Sequence, residues 1–103
     1  MTYFVYMLRC EDNSLYTGIT TDIPRRYSEH TARDGKGAKY TSVHRAAAVA
    51  AAWETSGGRS AASKLEYFIK RLRKTDKEML VQNPQLLAQM SGIEVKIADL
   101  NGG

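Results

Sequence analysis

A single cysteine, Cys10, stands in the 103 residues, so no internal disulfide can form and a thiolate metal cluster is excluded. It reads as a small core residue rather than a nucleophile. The apolar run from Tyr3 to Leu8 is far shorter than the roughly 20 residues of a membrane-spanning helix, and Met1-Thr2-Tyr3 lacks the cationic start of a secretory signal. A cytoplasmic location with no membrane contact is therefore expected. No Gly-Lys-Ser/Thr closes the stretch Asp34-Gly-Lys-Gly37, which excludes a Walker phosphate loop. Zinc-finger and helix-turn-helix patterns are also missing, and base-specific reading is not expected.

What is present describes an ordinary globule with an uneven charge. Hydrophobic residues make up 43% and charged residues 25%, enough for one core. The net charge is +4. Much of it lies between Arg59 and Lys77, where Arg59, Lys64, Lys70, Arg71, Arg73, Lys74 and Lys77 face only Glu66 and Asp76. Such a cluster can neutralise phosphates and release their counterions.

The elements follow from period and punctuation. Tyr3 to Cys10 is aromatic and β-branched on both faces, as a central strand covered on two sides would be. Glu11-Asp-Asn13 turns the chain, and Ser14 to Ile19 alternates as the second strand. Thr21 or Asp22 caps a first helix reaching about Ala32, with Pro24 in its first turn. Arg26 and His30, four apart, share one stripe of that helix. Ala46 to Glu54 has helix-favouring alanines, yet its length and the following Gly57-Gly58 favour a third strand, which the marginal hairpin also needs. A second helix starts near Ser60 with Ala61, Leu65, Phe68 and Leu72 as its apolar stripe and Ile69 widening it. Thr75-Asp-Lys-Glu78 reads as a capping box opening a third. The expected organisation is one domain over 1–82 with a helical and extended tail, 83–103, packed on it or trailing from it.

If the hairpin turns at Glu11-Asp-Asn13, paired residue numbers sum to 24, and Tyr6, Tyr16 and Gly18 fall on one face. Gly18 would lie opposite Tyr6 with Tyr16 on the diagonal, roughly 7 Å away. This predicts a concave spot with a bare glycine floor, fit for a phosphodiester. Asp34-Gly-Lys-Gly37 is expected to be a loop, and Lys36, Lys39 and Arg45, with Tyr40 between them, make a charged segment interleaved with an aromatic that could grip a nucleic-acid backbone and stack on a base. His44 shows nothing beyond a loop position.

In this order, Phe4-Val-Tyr6, Tyr16-Thr-Gly18, Arg26 with His30, and Glu66 within Lys64-Leu-Glu-Tyr-Phe-Ile-Lys70, the sequence resembles the GIY-YIG nuclease superfamily, in particular its small stand-alone bacterial members. Both tripeptides deviate from their namesakes. The similarity covers about residues 1–80. The resemblance implies an α+β sandwich, a three-stranded antiparallel sheet flanked by helices. It also implies a divalent-metal-dependent endonuclease acting on DNA, structure-selective or loosely specific, with a setting in repair or recombination. A catalytically inactive nucleic-acid-binding module of the same fold is the alternative.

Under that resemblance Tyr6, Tyr16, Arg26, His30 and Glu66 form the catalytic set, and Glu66 holds one Mg²⁺ or Mn²⁺. Gly18, Lys36, Lys39, Tyr40, Lys70 and Arg71 are the expected nucleic-acid contacts. A lone carboxylate suffices for Mg²⁺, which keeps much of its water shell. A tyrosine becomes a usable base only if its surroundings make its proton easier to lose. Tyr6 and Tyr16 are both candidates.

Overall fold

The computed structural model describes residues 2–32 and 38–98. Four strands and five helices follow in the order β1 (Tyr3–Cys10), β2 (Leu15–Thr20), α1 (Ile23–Thr31), α2 (Lys39–Val43), β3 (Ala46–Thr55), α3 (Gly58–Lys70), α4 (Lys74–Gln82), α5 (Leu86–Ser91) and β4 (Lys96–Ile97). The sheet is antiparallel throughout, ordered β2-β1-β3-β4. It has four strands where three were expected, because the terminal extended piece adds two residues to β3.

The hairpin register is the one the alternation dictates, with Phe4 opposite Thr20, Tyr6 opposite Gly18 and Arg9 opposite Leu15. The turn works because Asn13 adopts a positive φ of 69°, a left-handed conformation that asparagine tolerates. Asp12 supports it by accepting from both the backbone N–H and the hydroxyl of Ser14.

β3 overrides its alanine-rich helix propensity because it is the second neighbour of β1. Trp53 pairs with Val5, Ala52 with Tyr6 and Ala51 with Met7. The register shifts between Met7 and Leu8 and again between Arg9 and Cys10, so the irregularities of β1 fall on its β3 side.

Alternation along β1 divides the interior. Val5 and Met7 point to one face and join Trp53, Leu65, Ile69, Leu80 and Leu87 under α3, α4 and α5. Tyr6 and Leu8 point to the other, with Ile23, Ala52, Tyr16 and Tyr27 near α1. Cys10 is buried, as a core residue should be. Beyond residue 82, Leu87 enters the main core and the Trp53 indole N–H donates to the Pro84 carbonyl at 2.8 Å.

Two local expectations are corrected. The buried stripe of α3 runs through Ala62, Leu65 and Ile69, one position on from Ala61, with Phe68 only partly covered. The capping box at Thr75 does not form: α4 starts at Lys74, with Arg73 in place of Thr75 at its N-cap and no side-chain cap. Glu78 is committed elsewhere. Its carboxylate takes both guanidinium arms of Arg9 at 2.5 Å and the Lys74 ammonium at 3.2 Å, so α4 is fastened to the hairpin instead.

Candidate active site

Tyr6 has the smallest side chains on both neighbouring strands, Gly18 across β2 and Ala52 across β3. That leaves room for its phenol to lie flat over the sheet. A Cβ added at Gly18 would sit 2.6 Å from Tyr6 Oη, 2.8 Å from its Cζ and 3.1 Å from a Tyr16 ring carbon. The glycine floor expected to be open is therefore occupied by the two tyrosines. Their ring centroids are 6.3 Å apart, and Tyr6 is only 2% exposed.

α1 delivers the next pair. Asp22 caps it by accepting from the Arg25 N–H, and Pro24 lies in its first turn. The four-residue spacing then turns Arg26 and His30 toward the sheet. His30 is 4% exposed, and its Nε2 lies 2.8 Å from Tyr6 Oη. A third member completes the group. The Thr41 hydroxyl lies 3.0 Å from the Ala38 carbonyl and 2.7 Å from His30 Nδ1, and the Ala38 N–H points at the same ring nitrogen from 3.5 Å. With the proton on Nδ1, Thr41 accepts it and Nε2 accepts from the Tyr6 hydroxyl.

Burial pushes the Tyr6 phenol up to about 12, with the Tyr16 ring adding to this and Arg26 opposing it. Burial also pulls His30 down to about 4, helped by the Arg26 charge. At neutral pH the pair is a neutral phenol against a neutral imidazole. Arg26 touches the Tyr6 oxygen and also binds Glu29 at 2.8 Å.

Tyr16 is the hub of the outer layer. Its ring centroid lies 5.1 Å from His30 and 5.6 Å from Tyr40, and the Lys70 ammonium stands 6.0 Å from it. Lys70 also pairs with Glu66 at 3.3 Å, one helical turn back along α3. Glu66 is partly exposed, and its charge is felt at Tyr6. Tyr6, Tyr16, Gly18, Arg26, His30, Tyr40, Glu66 and Lys70 thus converge. Lys39 is exposed on α2, Arg71 stacks on Tyr67, and Lys36 lies outside the described residues.

Two features escaped the sequence reading. The segment holding Lys39 and Tyr40 forms a short helix, for which no element was expected. His44 stacks on Tyr40 with centroids 4.2 Å apart and pairs through Nδ1 with Asp12 in the hairpin turn. The Asp12 carboxyl is held well below the usual carboxylate range by Ser14 and His44. Only an aromatic with a histidine four residues on hinted at this.

Among the described residues no three His, Cys, Asp or Glu side chains gather as a metal cage. A single partly exposed carboxylate beside two phenols does not suit a closed zinc centre. It fits a hard divalent ion that retains most of its water. No helix among the described residues is long and apolar enough to cross a membrane.

The chain is 43% identical over 84 residues to a UPF0213 protein of Fusobacterium nucleatum, covering 82% of this chain and 81% of that one. It is 49% identical over 80 residues to a UPF0213 protein of Desulfotalea psychrophila, covering 78% and 71%. The solution NMR structure of the UPF0213 protein BH0048 from Bacillus halodurans matches with a TM-score of 0.49 and 40% identity, over 80% of this chain and 84% of that one. The family model of the GIY-YIG catalytic domain matches residues 2–79, a span that takes in both tyrosines, the arginine helix and Glu66. The chain belongs to the GIY-YIG catalytic domain family, a family of nucleases.

Proposed function

We propose that the protein is a divalent-metal-dependent endonuclease hydrolysing phosphodiesters in nucleic acid, DNA before RNA, structure-selective or loosely specific, and serving repair or recombination. The observation that carries this reading is the Tyr6–His30 contact at 2.8 Å with Arg26 beside it. It gives one of the two tyrosines a proton acceptor of its own.

Tyr6 is the general base in this reading, and Tyr16 positions the phosphate. A free phenolate is inaccessible with its proton held to about 12, so the phenol works as a relay. It takes a proton from the attacking water while its own passes to His30 Nε2. The relay uses the tautomer in which His30 Nδ1–H donates to Thr41, 2.7 Å away. The approaching phosphodiester brings negative charge, which favours the imidazolium and offsets the burial that holds His30 near 4. Arg26 supplies forked donors to charge developing on the phosphorane. Glu66 would hold the divalent ion, which when bound neutralises charge on the phosphate and leaving oxygen.

The test is single-turnover cleavage of labelled DNA and RNA structures with Mg²⁺ or Mn²⁺. Glu66→Gln should keep the fold and nucleic-acid binding and lose divalent-dependent cleavage. Tyr6→Phe should fall by orders of magnitude. Wild-type rates in both variants would overturn the reading. The ion pair that Lys70 makes with Glu66 favours a second reading, a non-cleaving binding module, and absence of cleavage on every structure with either ion would select it.

A further inference from the structure

Tyr67 is the most solvent-exposed of the large hydrophobic side chains on α3, at 63%. Its exposure is dictated by the helix. At about 100° per residue it sits roughly 200° from both Leu65 and Ile69, which are fully buried, so it points away from the core. It is not an isolated surface ring. The Arg71 guanidinium, four residues on, lies 5.3 Å from its centroid, within the range of a cation–π contact. Lys64 and Lys70 flank it at three residues on either side, and Glu66 adjoins it in sequence. Three cations against one carboxylate therefore surround an aromatic face on the helix that carries the candidate metal ligand.

We propose that Tyr67, backed by Arg71, is a stacking platform for an unpaired nucleobase, so that the substrate presents a single-stranded segment beside the scissile phosphate. This rests on the nuclease reading and adds the substrate class. Bases inside a duplex have both faces covered by their neighbours, and only an unpaired base can offer a π-face to a side chain. The flanking cations suit the phosphates of that same strand. They do not suit a cationic or purely apolar partner. Arg71 both fixes the ring from one side and supplies charge, which leaves the opposite side for the base. Because a π-face is common to all bases, sequence preference is weak at this position. Deoxyribose and ribose strands share the chemistry.

Fluorescence anisotropy without divalent ion, on a labelled single strand and on its duplex, in both DNA and RNA, tests the platform. Tyr67→Ala should weaken single-strand binding by roughly 5- to 100-fold, the alanine-scan scale of base–aromatic stacking, with duplex binding changed by less than about twofold. Its salt slope should stay at the wild-type value, whereas Arg71→Ala should lower the single-strand slope by about 0.7. Tyr67→Phe should bind like wild type, and a 2-aminopurine in the strand should lose its quenching in Tyr67→Ala. The DNA and RNA arms identify which strand is taken. Unchanged or equal losses for strand and duplex in Tyr67→Ala overturn the platform and leave the nuclease reading intact, as does a Tyr67→Ala effect confined to sedimentation, which would mark a contact between copies. If neither nucleic acid binds with salt-dependent affinity, the nuclease reading fails and the platform with it.

Discussion

Acidification should weaken this protein before its carboxylates begin to protonate, and His30 is the reason. The unfolded chain binds a proton at His30 near the ordinary 6.5, but the folded chain resists until about 4. The unfolded state therefore holds more protons through this window, so stability is full above pH 6.5 and is lost as pH falls toward 4. At roughly 1.4 kcal/mol per tenfold change in proton affinity, the whole gap amounts to about 3 kcal/mol, of which about 2 is lost between pH 7 and 5. With a urea m-value of roughly 1–3 kcal/mol/M, the unfolding midpoint should drop by about 0.7–2 M over that range. Glu78, held at about 2, and Asp12, held lower, lose their stabilisation only below the ordinary carboxylate range, so their contribution falls at more acid pH. His30→Asn removes the titrating ring. It should be less stable at pH 7, since it disturbs the Tyr6 and Thr41 partners, but its midpoint should be nearly level between pH 7 and 5. An equal slope in wild type and His30→Asn would refute the reasoning.

Gly18→Ala would place a methyl 2.6 Å from a phenol oxygen already tied to His30, so we expect a loss of about 1–3 kcal/mol by urea titration together with reduced cleavage. Arg26→Lys should fail nearly as badly as Arg26→Ala, by roughly 10²-fold in single-turnover rate, because an ammonium cannot reproduce the forked donors; wild-type cleavage would reduce Arg26 to a point charge. Lys70→Met removes the ammonium that pairs with Glu66 and should tighten Mn²⁺ binding measured by electron paramagnetic resonance, an effect that vanishes when Glu66→Gln is added.

Much of the fold was legible because its determinants are local. The β1–β2 register follows from a three-residue turn and strict alternation, and α1 from a capping aspartate with a proline behind it. Where reading failed, the decisive partner was remote or the signal too short. Glu78 left its expected capping role for Arg9, 69 positions away, and His44 found Asp12 at a separation of 32. α2 has five residues and no side-chain cap, which gives periodicity nothing to grip. Choosing Ala61 over Ala62 was a choice between equal side chains that only packing separates. At the site, a missing Cβ could be read from Gly18, but not that the Tyr6 ring would fill the space.

The alternation along β1 sorts the effects of inherited change. Val5 and Met7 support the helices behind the sheet, while Tyr6 lies on the side where the chemistry is proposed. In a scan scoring protein abundance and cleavage separately, neighbouring positions should report different losses. Polar substitutions at 5 and 7 should empty the cell of protein, whereas Tyr6→Phe, which keeps the ring over Gly18, should leave a full complement of inert molecules. A lineage that lost the need to cut could thus shed activity through one odd-man position in the strand and still inherit an intact nucleic-acid-sized scaffold, free to be put to another use.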